Sequence, residues 1–379
     1  MATVVQPTRS TTRRTIRVVI ELPRASRTAA AWVVAWTLLA LCLATSAGAE
    51  SSADAIPGGS LGNGLELPHR LWIAGDVTLH GQVPEEGPSR VEIDDLSLLA
   101  RWEPTKRLTL FGELRMEDFF EAVAGEGVTQ SQWQFVFERL YAEALVTPAL
   151  TVRLGTVYTP FGLWNVVRRS PFNWTVEEPA IADDVFPTHA TGLSLLYQTT
   201  WQGWSFDATA YGPVQNTARW GHTSEDDDRG WLTGTRVAVG RILGPAFGSL
   251  GLNAAGFRGR GESTWGTAFG LDSQLDLGGH QVTSELTWRL PGSGQRSVHG
   301  LYVQDVIRLE PLIPHAHDLY GVVRFEYFQP GTGRAEIGGI LGLFWRPVPS
   351  LVLRVDYTFG SRTLERFQPG LNTSISFLF

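Results

Sequence analysis

The chain is poor in the residues that staple, ligate or switch a soluble fold. One cysteine, Cys42, among 379 residues excludes a disulfide framework and a cysteine-based zinc site. There are two methionines and one lysine, Lys106. Charged residues make up 18% of the chain, and beyond residue 49 no apolar run reaches the ~20 residues that a membrane helix requires. Yet 43% of residues are apolar while mean hydropathy is −0.04. Apolar side chains must therefore be interleaved with polar ones rather than gathered into blocks.

What is abundant points to strands. The 41 Gly, 19 Phe and 14 Trp suit twisted sheets and tight turns better than helices. The first 49 residues differ in character: Arg9, Arg13, Arg14, Arg17, Arg24 and Arg27 precede an uncharged stretch over 29–44, followed by Ala47-Gly48-Ala49. Such a sequence reads as a signal peptide cut after Ala49; the competing reading is a membrane anchor, for which the apolar stretch is short. This segment holds six arginines and one acid, so the remaining chain carries 25 basic residues against 37 acidic, a net charge of −12. That balance disfavours nucleic acid as a partner. Residues 50–69, rich in Gly, Ser and Ala, read as a short periplasmic tail, and 70–379 as one domain.

From Arg70 onward, segments of alternating apolar and polar residues recur between Gly, Pro, Asn and Asp clusters, and sixteen strands are predicted: 70–80, 91–102, 107–117, 135–147, 149–158, 190–200, 203–212, 231–243, 248–258, 264–276, 279–290, 297–310, 315–328, 334–346, 349–360 and 370–379. In the last of them Leu371, Thr373, Ile375, Phe377 and Phe379 share one face and Asn372, Ser374 and Ser376 the other. A soluble sandwich also alternates. Here, however, the polar face carries ionised residues at mid-strand, and the apolar face carries rings near strand ends, including Trp102, Tyr158, Trp288, Tyr327 and Trp345. An all-β transmembrane antiparallel barrel, with lipid outside and a wet lumen, accounts for both faces. Predicted connections alternate between short turns and longer loops, and the four longest, 118–134, 159–189, 213–230 and 361–369, fall on one rim. Both termini then lie on the periplasmic side.

The closing Ser374-Ile375-Ser376-Phe377-Leu378-Phe379 resembles the insertion signal that the barrel-assembly machinery reads, with Phe379 as its terminal aromatic. With the signal peptide and strand count, the mature chain resembles a 16-stranded Gram-negative porin. Glu138-Arg139-Leu140-Tyr141-Ala142-Glu143, then Leu154-Gly155 and Tyr158-Thr159-Pro160-Phe161-Gly162-Leu163, are similar to the strand and loop entry of the phosphate-selective (O/P-type) porin-like family. The resemblance implies an outer-membrane location among lipid and lipopolysaccharide, passive diffusion of small hydrophilic solutes or ions, no cofactor, and assembly as a homotrimer. An anion- or phosphate-selective channel is the alternative it leaves open, although one lysine cannot form a lysine ladder.

Candidate site residues follow from that frame. The longest loop, 159–189, is the third external one and the expected constriction, with Arg168, Arg169, Glu177, Glu178, Asp183 and Asp184 as its charges and four prolines stiffening it. Arg101, Glu113, Arg115, Arg139, Glu143, Arg153, Arg324, Glu326 and Arg354 are expected to line the pore. There the arginines either set up a transverse field across the lumen or pair with Glu113 and Glu143 to stiffen the wall. His315-Ala316-His317-Asp318 offers too few ligands for a metal site and reads as a polar strand start, and the acidic run Glu225-Asp226-Asp227-Asp228 as solvated. An outer-membrane hydrolase needs a serine near a histidine; Ser284 and His299 can be nominated, without a local motif around either. A soluble carbohydrate-binding β-protein needs aromatics on the polar face, whereas here they follow the apolar parity.

Overall fold

The computed structural model describes residues 64–117, 120–129, 134–213, 229–259, 264–292, 296–313, 315–360 and 368–379. The expected signal peptide, most of the expected tail and the acidic run 225–228 lie outside the described residues. Sixteen long strands form the wall: β1 (Leu71–Pro84), β2 (Arg90–Thr105), β3 (Leu108–Glu117), β4 (Gln134–Thr147), β5 (Leu150–Tyr158), β6 (His189–Trp201), β7 (Trp204–Gly212), β8 (Arg229–Leu243), β9 (Ala246–Gly259), β10 (Gly266–Asp276), β11 (His280–Leu290), β12 (Val298–Arg308), β13 (Leu319–Gln329), β14 (Glu336–Val348), β15 (Leu351–Gly360) and β16 (Gly370–Leu378). Each pairs antiparallel with its sequence neighbour, and β16 pairs antiparallel with β1 from Gly370↔Pro84 to Leu378↔Asp76. The sheet is therefore a closed barrel without an open edge, and all sixteen predicted strands are present.

Phe379 completes the ring, its N–H donating to the Gly75 carbonyl at 3.0 Å and its carbonyl accepting from the Gly75 N–H at 3.2 Å. Just beyond it, Leu65–Leu67 pairs with β1 at Ile73, Trp72 and Leu71. The last residues of the expected tail thus continue the sheet where the C-terminal strand stops.

The two faces follow the pleat. Asp76, Thr78, Ser97, Glu113, Asp272, Arg324, Asp356 and Asn372 are buried, whereas Leu98, Phe137, Leu154, Leu252, Phe269, Phe325, Leu341 and Phe377 are exposed. Apolar residues outside and ionisable ones inside reverse the order of a water-soluble core. Connections on one rim are mostly two residues long; at 202–203, Gln202 and Gly203 both have positive φ, the turn whose twist matches that of the flanking strands. One connection on this rim departs from expectation. His315 and Asp318 both adopt left-handed backbone, which ends the extended run, so 309–318 is one connection and β13 starts at Leu319. The His315–Asp318 run is thus part of a turn and not a strand start, with His317 Nδ1 2.9 Å from Glu310 Oε1.

The paired glycines Gly155 and Gly192, on β5 and β6, sit at φ +140° and +152°, a conformation open mainly to glycine. A Cβ on Gly155 would collide with the Leu140 carbonyl and the Tyr141 backbone, whereas one on Gly112 meets only the Leu140 side chain, at 3.6 Å. Gly155→Val is therefore expected to lower the stability of the refolded barrel by about 1–3 kcal/mol in urea titration, with Gly112→Val close to the parent. Equal stabilities would show that the close backbone approach at Gly155 does not require glycine.

Candidate functional site: the long loop against the polar wall

Residues 159–188 leave β5 and return to β6 across the inner, polar face of the barrel. The neck of this loop is closed by its own backbone: the Thr159 N–H donates to the Thr188 carbonyl at 2.8 Å, and Thr159 Oγ1 to the Pro187 carbonyl at 2.6 Å. Asn165 Nδ2 spans the neck, donating to the carbonyls of Thr159 and Thr188. Phe161 is fully buried and stacks on Phe186 with centroids 4.5 Å apart.

Beyond the neck the wall grips the loop by its backbone. Asn253 of β9 accepts the Gly162 N–H at 3.1 Å, Glu285 of β11 accepts the Trp164 N–H at 2.6 Å, Glu326 of β13 accepts the Ala180 N–H at 2.8 Å, and Asp356 of β15 accepts the Val176 N–H. Every second strand from β9 to β15 thus supplies one acceptor. Two buried arginines take the opposite role. Arg324 donates to the Glu177 carbonyl and to Thr175 Oγ1, and Arg354 to the carbonyls of Ser170, Asn173 and Thr175. A loop turned into a barrel must satisfy its N–H and C=O groups somewhere, and wall side chains do so here. Gly162 is at φ +72°, and a Cβ there would strike the Glu285 carboxylate, so this turn fits glycine alone.

Apolar packing fills the space between loop and wall. Phe161, Ala180, Ile181, Val185 and Phe186 join Tyr211, Leu232, Phe257, Tyr302 and Phe328 in one cluster. Phe172 and Trp174 pack on a second, formed by Val306, Val322, Phe344, Val352 and Leu378. On the far side Arg169 acts as a strut, reaching Asp76 of β1 and, at 3.2 Å, Glu113 of β3. Burial pulls its guanidinium below the ordinary arginine range, to about 9, which leaves it charged at neutral pH against those two carboxylates.

Of the nine residues expected to line a pore, Glu113 is buried between Arg139 and Arg169, and the other eight divide into two groups. Arg324, Glu326 and Arg354 are buried beneath the loop and bond to it. Arg101, Arg115, Arg139, Arg153 and Glu143 keep part of their side chains open and lie on the arc β2–β5. The pairing reading holds for these arginines: Arg139 Nε donates to Glu113 at 2.5 Å, Arg153 Nη2 to Glu143 at 2.6 Å, and Arg115 Nη2 to Glu138 at 2.9 Å. Rings cover their flat faces, Tyr141 over Arg153, and Phe111 and Tyr158 over Arg139. Tyr158 is therefore buried against an inner arginine instead of belonging to an outer ring of aromatics. On the loop, Arg168 pairs with Glu178 at 2.7 Å, while Glu177 contributes its carbonyl. Asp183 and Asp184 form the end of a single helical turn, Ile181–Asp184, and their side chains lie outside the described residues.

Sequence reasoning missed Glu138, which sits at a bulge between Phe137 and Arg139 and bonds both Arg115 and, at 2.9 Å, His189. It also missed Asn253, Glu285 and Asp356 as loop acceptors. The signal that was available is a mid-strand acid or amide on the polar face of alternate strands. The nominated hydrolase pair is not assembled: Ser284 bonds Ser273 at 2.8 Å, while His299 stacks on Trp288, four residues or ~13 Å further along β11.

No family model and no curated protein matches the chain. Solved structures do. The chain is similar to OmpF of Salmonella typhi in complex with daunomycin (TM-score 0.53, 11% identity, 82% of this chain and 97% of that one). It is also similar to the outer membrane channel DcaP of Acinetobacter baumannii (0.52, 9%, 83% and 99%) and to outer-membrane expressed OmpT of Vibrio cholerae (0.51, 11%, 84% and 99%). These likenesses establish the fold, the closed 16-strand antiparallel barrel of outer-membrane porins.

The grip on the loop is testable amide by amide. Hydrogen exchange of peptides covering 162–164 and 176–180 is expected to be slow, and Asp356→Ala should speed exchange at Val176 while leaving Gly162 and Trp164 protected. Fast exchange at all of these sites in the parent would mean that the wall does not hold the loop.

Proposed function

We propose that the chain is an outer-membrane porin through which small hydrophilic solutes or ions diffuse passively, narrowed by the loop 159–188. One observation carries the reading: a closed barrel whose outer face is apolar and whose inner face is lined with ion pairs. The outer face also has a measurable height. On β8, outward-facing Trp231 and Arg241 are ten residues apart; this is ~33 Å along the strand and ~25 Å along the membrane normal at the usual tilt, the height of a bilayer's apolar band. Trp204 over Arg241 and Trp231 beside Arg258 mark the two boundaries.

Within this reading the passage runs between the loop and the arc β1–β6. Apolar packing occupies the β7–β16 side, and Arg115, Glu143 and Arg153 keep one-quarter or so of their side chains accessible. Arg101 and Arg139 extend the same patch, and Arg169 of the loop is tied to it through the buried Glu113. Because Arg101, Arg115, Arg139 and Arg153 are each paired with a carboxylate, this lining offers solutes alternating dipoles and no net ladder of positive charge, which favours weak charge selection over phosphate-type selection. Passive diffusion needs no nucleophile, and the proposal includes no enzymatic step. Insertion by the barrel-assembly machinery through Phe379, export by residues 1–49, contact with lipid and lipopolysaccharide, and a homotrimer belong to the same proposal.

Planar-bilayer recordings test it. Discrete openings are expected in the parent protein, with larger conductance after deletion of residues 166–185; a bilayer that stays silent rejects the porin reading. In a salt gradient Arg153→Ala should move the reversal potential toward cations, since it leaves Glu143 unpaired, and an unchanged potential places Arg153 outside the passage. Leu252→Arg, at an outward mid-strand position, should destabilise the barrel in lipid vesicles by ~2–4 kcal/mol in folding titrations, and a neutral result there would remove the lipid-facing assignment.

A further inference from the structure

The arginines of this barrel use two kinds of partner. On the inner face Arg115, Arg139, Arg153, Arg236 and Arg324 pair with carboxylates. Arg258, near the end of β9 on the long-loop rim, instead sits between two indoles, 5.5 Å from the Trp265 ring centroid and 6.0 Å from that of Trp231. The register places it outside: Arg258 is paired with Trp231, two residues beyond Gly256 and one beyond the buried, inward Phe257. Among the described residues no carboxylate pairs with it. Two rings lie against the guanidinium, and cation–π contact leaves its N–H groups able to donate to an anion.

We infer that Arg258, with Trp231 and Trp265, forms a binding site on the outer surface for the phosphate of an outer-leaflet glycolipid. The inference rests on the membrane placement proposed above. Three features favour a lipid over a solute: the site faces away from the lumen, it lies at the long-loop boundary of the apolar band, and indoles settle at that depth. A guanidinium fork matches phosphate oxygens with charge-assisted hydrogen bonds, and the depth brings a headgroup phosphate to it without burying the charge. Arg241 over Trp204, at the opposite rim, is the internal control, because it has one indole and faces the other leaflet.

The test uses the full refolded protein in detergent, titrated with a bis-phosphorylated glucosamine lipid (lipid A) or its dephosphorylated form, and native mass spectrometry to count retained lipid. The parent should retain the phosphorylated lipid and not the dephosphorylated one. Arg258→Ala should weaken retention roughly tenfold, as expected for loss of a charge-assisted pair, and Trp265→Ala should weaken it too, while Arg241→Ala matches the parent. Heat-modifiable migration on gels checks that each variant is folded. Equal retention by the parent and Arg258→Ala overturns the assignment, as does displacement of the lipid by millimolar inorganic phosphate, which would mark a site for small anions. Channel openings are recorded on the same preparations. A protein that conducts but retains no lipid loses this site and keeps its porin reading, and one that retains lipid without conducting does the reverse.

Discussion

Backbone hydrogen bonding is the constraint on which the rest of this structure depends. Sixteen strands joined edge to edge, with β16 returned to β1, leave no row of unpaired N–H and C=O groups on the wall. Closure satisfies the wall but not a loop that enters it. The 30 residues between β5 and β6 meet the same constraint by a different route, through Asn253, Glu285, Glu326 and Asp356 as acceptors and Arg324 and Arg354 as donors. The buried charges of the wall are thus employed in holding backbone, and several pair with each other as well, as Arg324 does with Glu326 at 2.7 Å. Removing one member would strand its partner in a buried site, which costs more than the pair contributes.

That arrangement divides the lumen. Aromatic and aliphatic side chains of the loop meet those of β7–β16 in two clusters, while on the arc β2–β5 the wall keeps its ion pairs partly open. Arg169 links the halves by bridging the loop to β1 and β3, and Glu113 is shared between Arg169 and Arg139. Loop position, wall charge and the course of the proposed passage are therefore one property of the molecule, since the carboxylates that fix the loop are neighbours of those that neutralise the arginines.

How much of this was legible in the sequence depends on the range of the interaction. Strand existence is local: a period of two with Gly and Pro at the ends is written into each segment, and all sixteen strands were readable from it. The turn at 309–318 was not, because His315 and Asp318 keep the alternating pattern while adopting backbone that alternation does not encode. Parity puts Tyr158 on the outer face, yet beyond Gly155, at φ +140°, the Tyr158 ring packs against the Arg139 guanidinium. The loop's entry into the lumen was expected from its length and order, but not the means. Glu326 and Ala180 are 146 residues apart, and a backbone N–H carries no side-chain signature, so nothing in the sequence names the partner. Arg324, Glu326 and Arg354 were read as pore lining from their polar parity; that parity tells inside from outside but not open lumen from the surface under a loop.

Neutral-polymer exclusion from the open channel tests most directly whether the loop narrows the lumen. Graded polymers are added to a conducting bilayer, and the size at which conductance stops falling gives the width of the passage. A loop clamped by β9–β15 predicts that the parent excludes polymers admitted by a Glu285→Ala, Glu326→Ala, Asp356→Ala triple variant. The same cut-off in both proteins, at a size that fills an unobstructed 16-strand barrel, would contradict it.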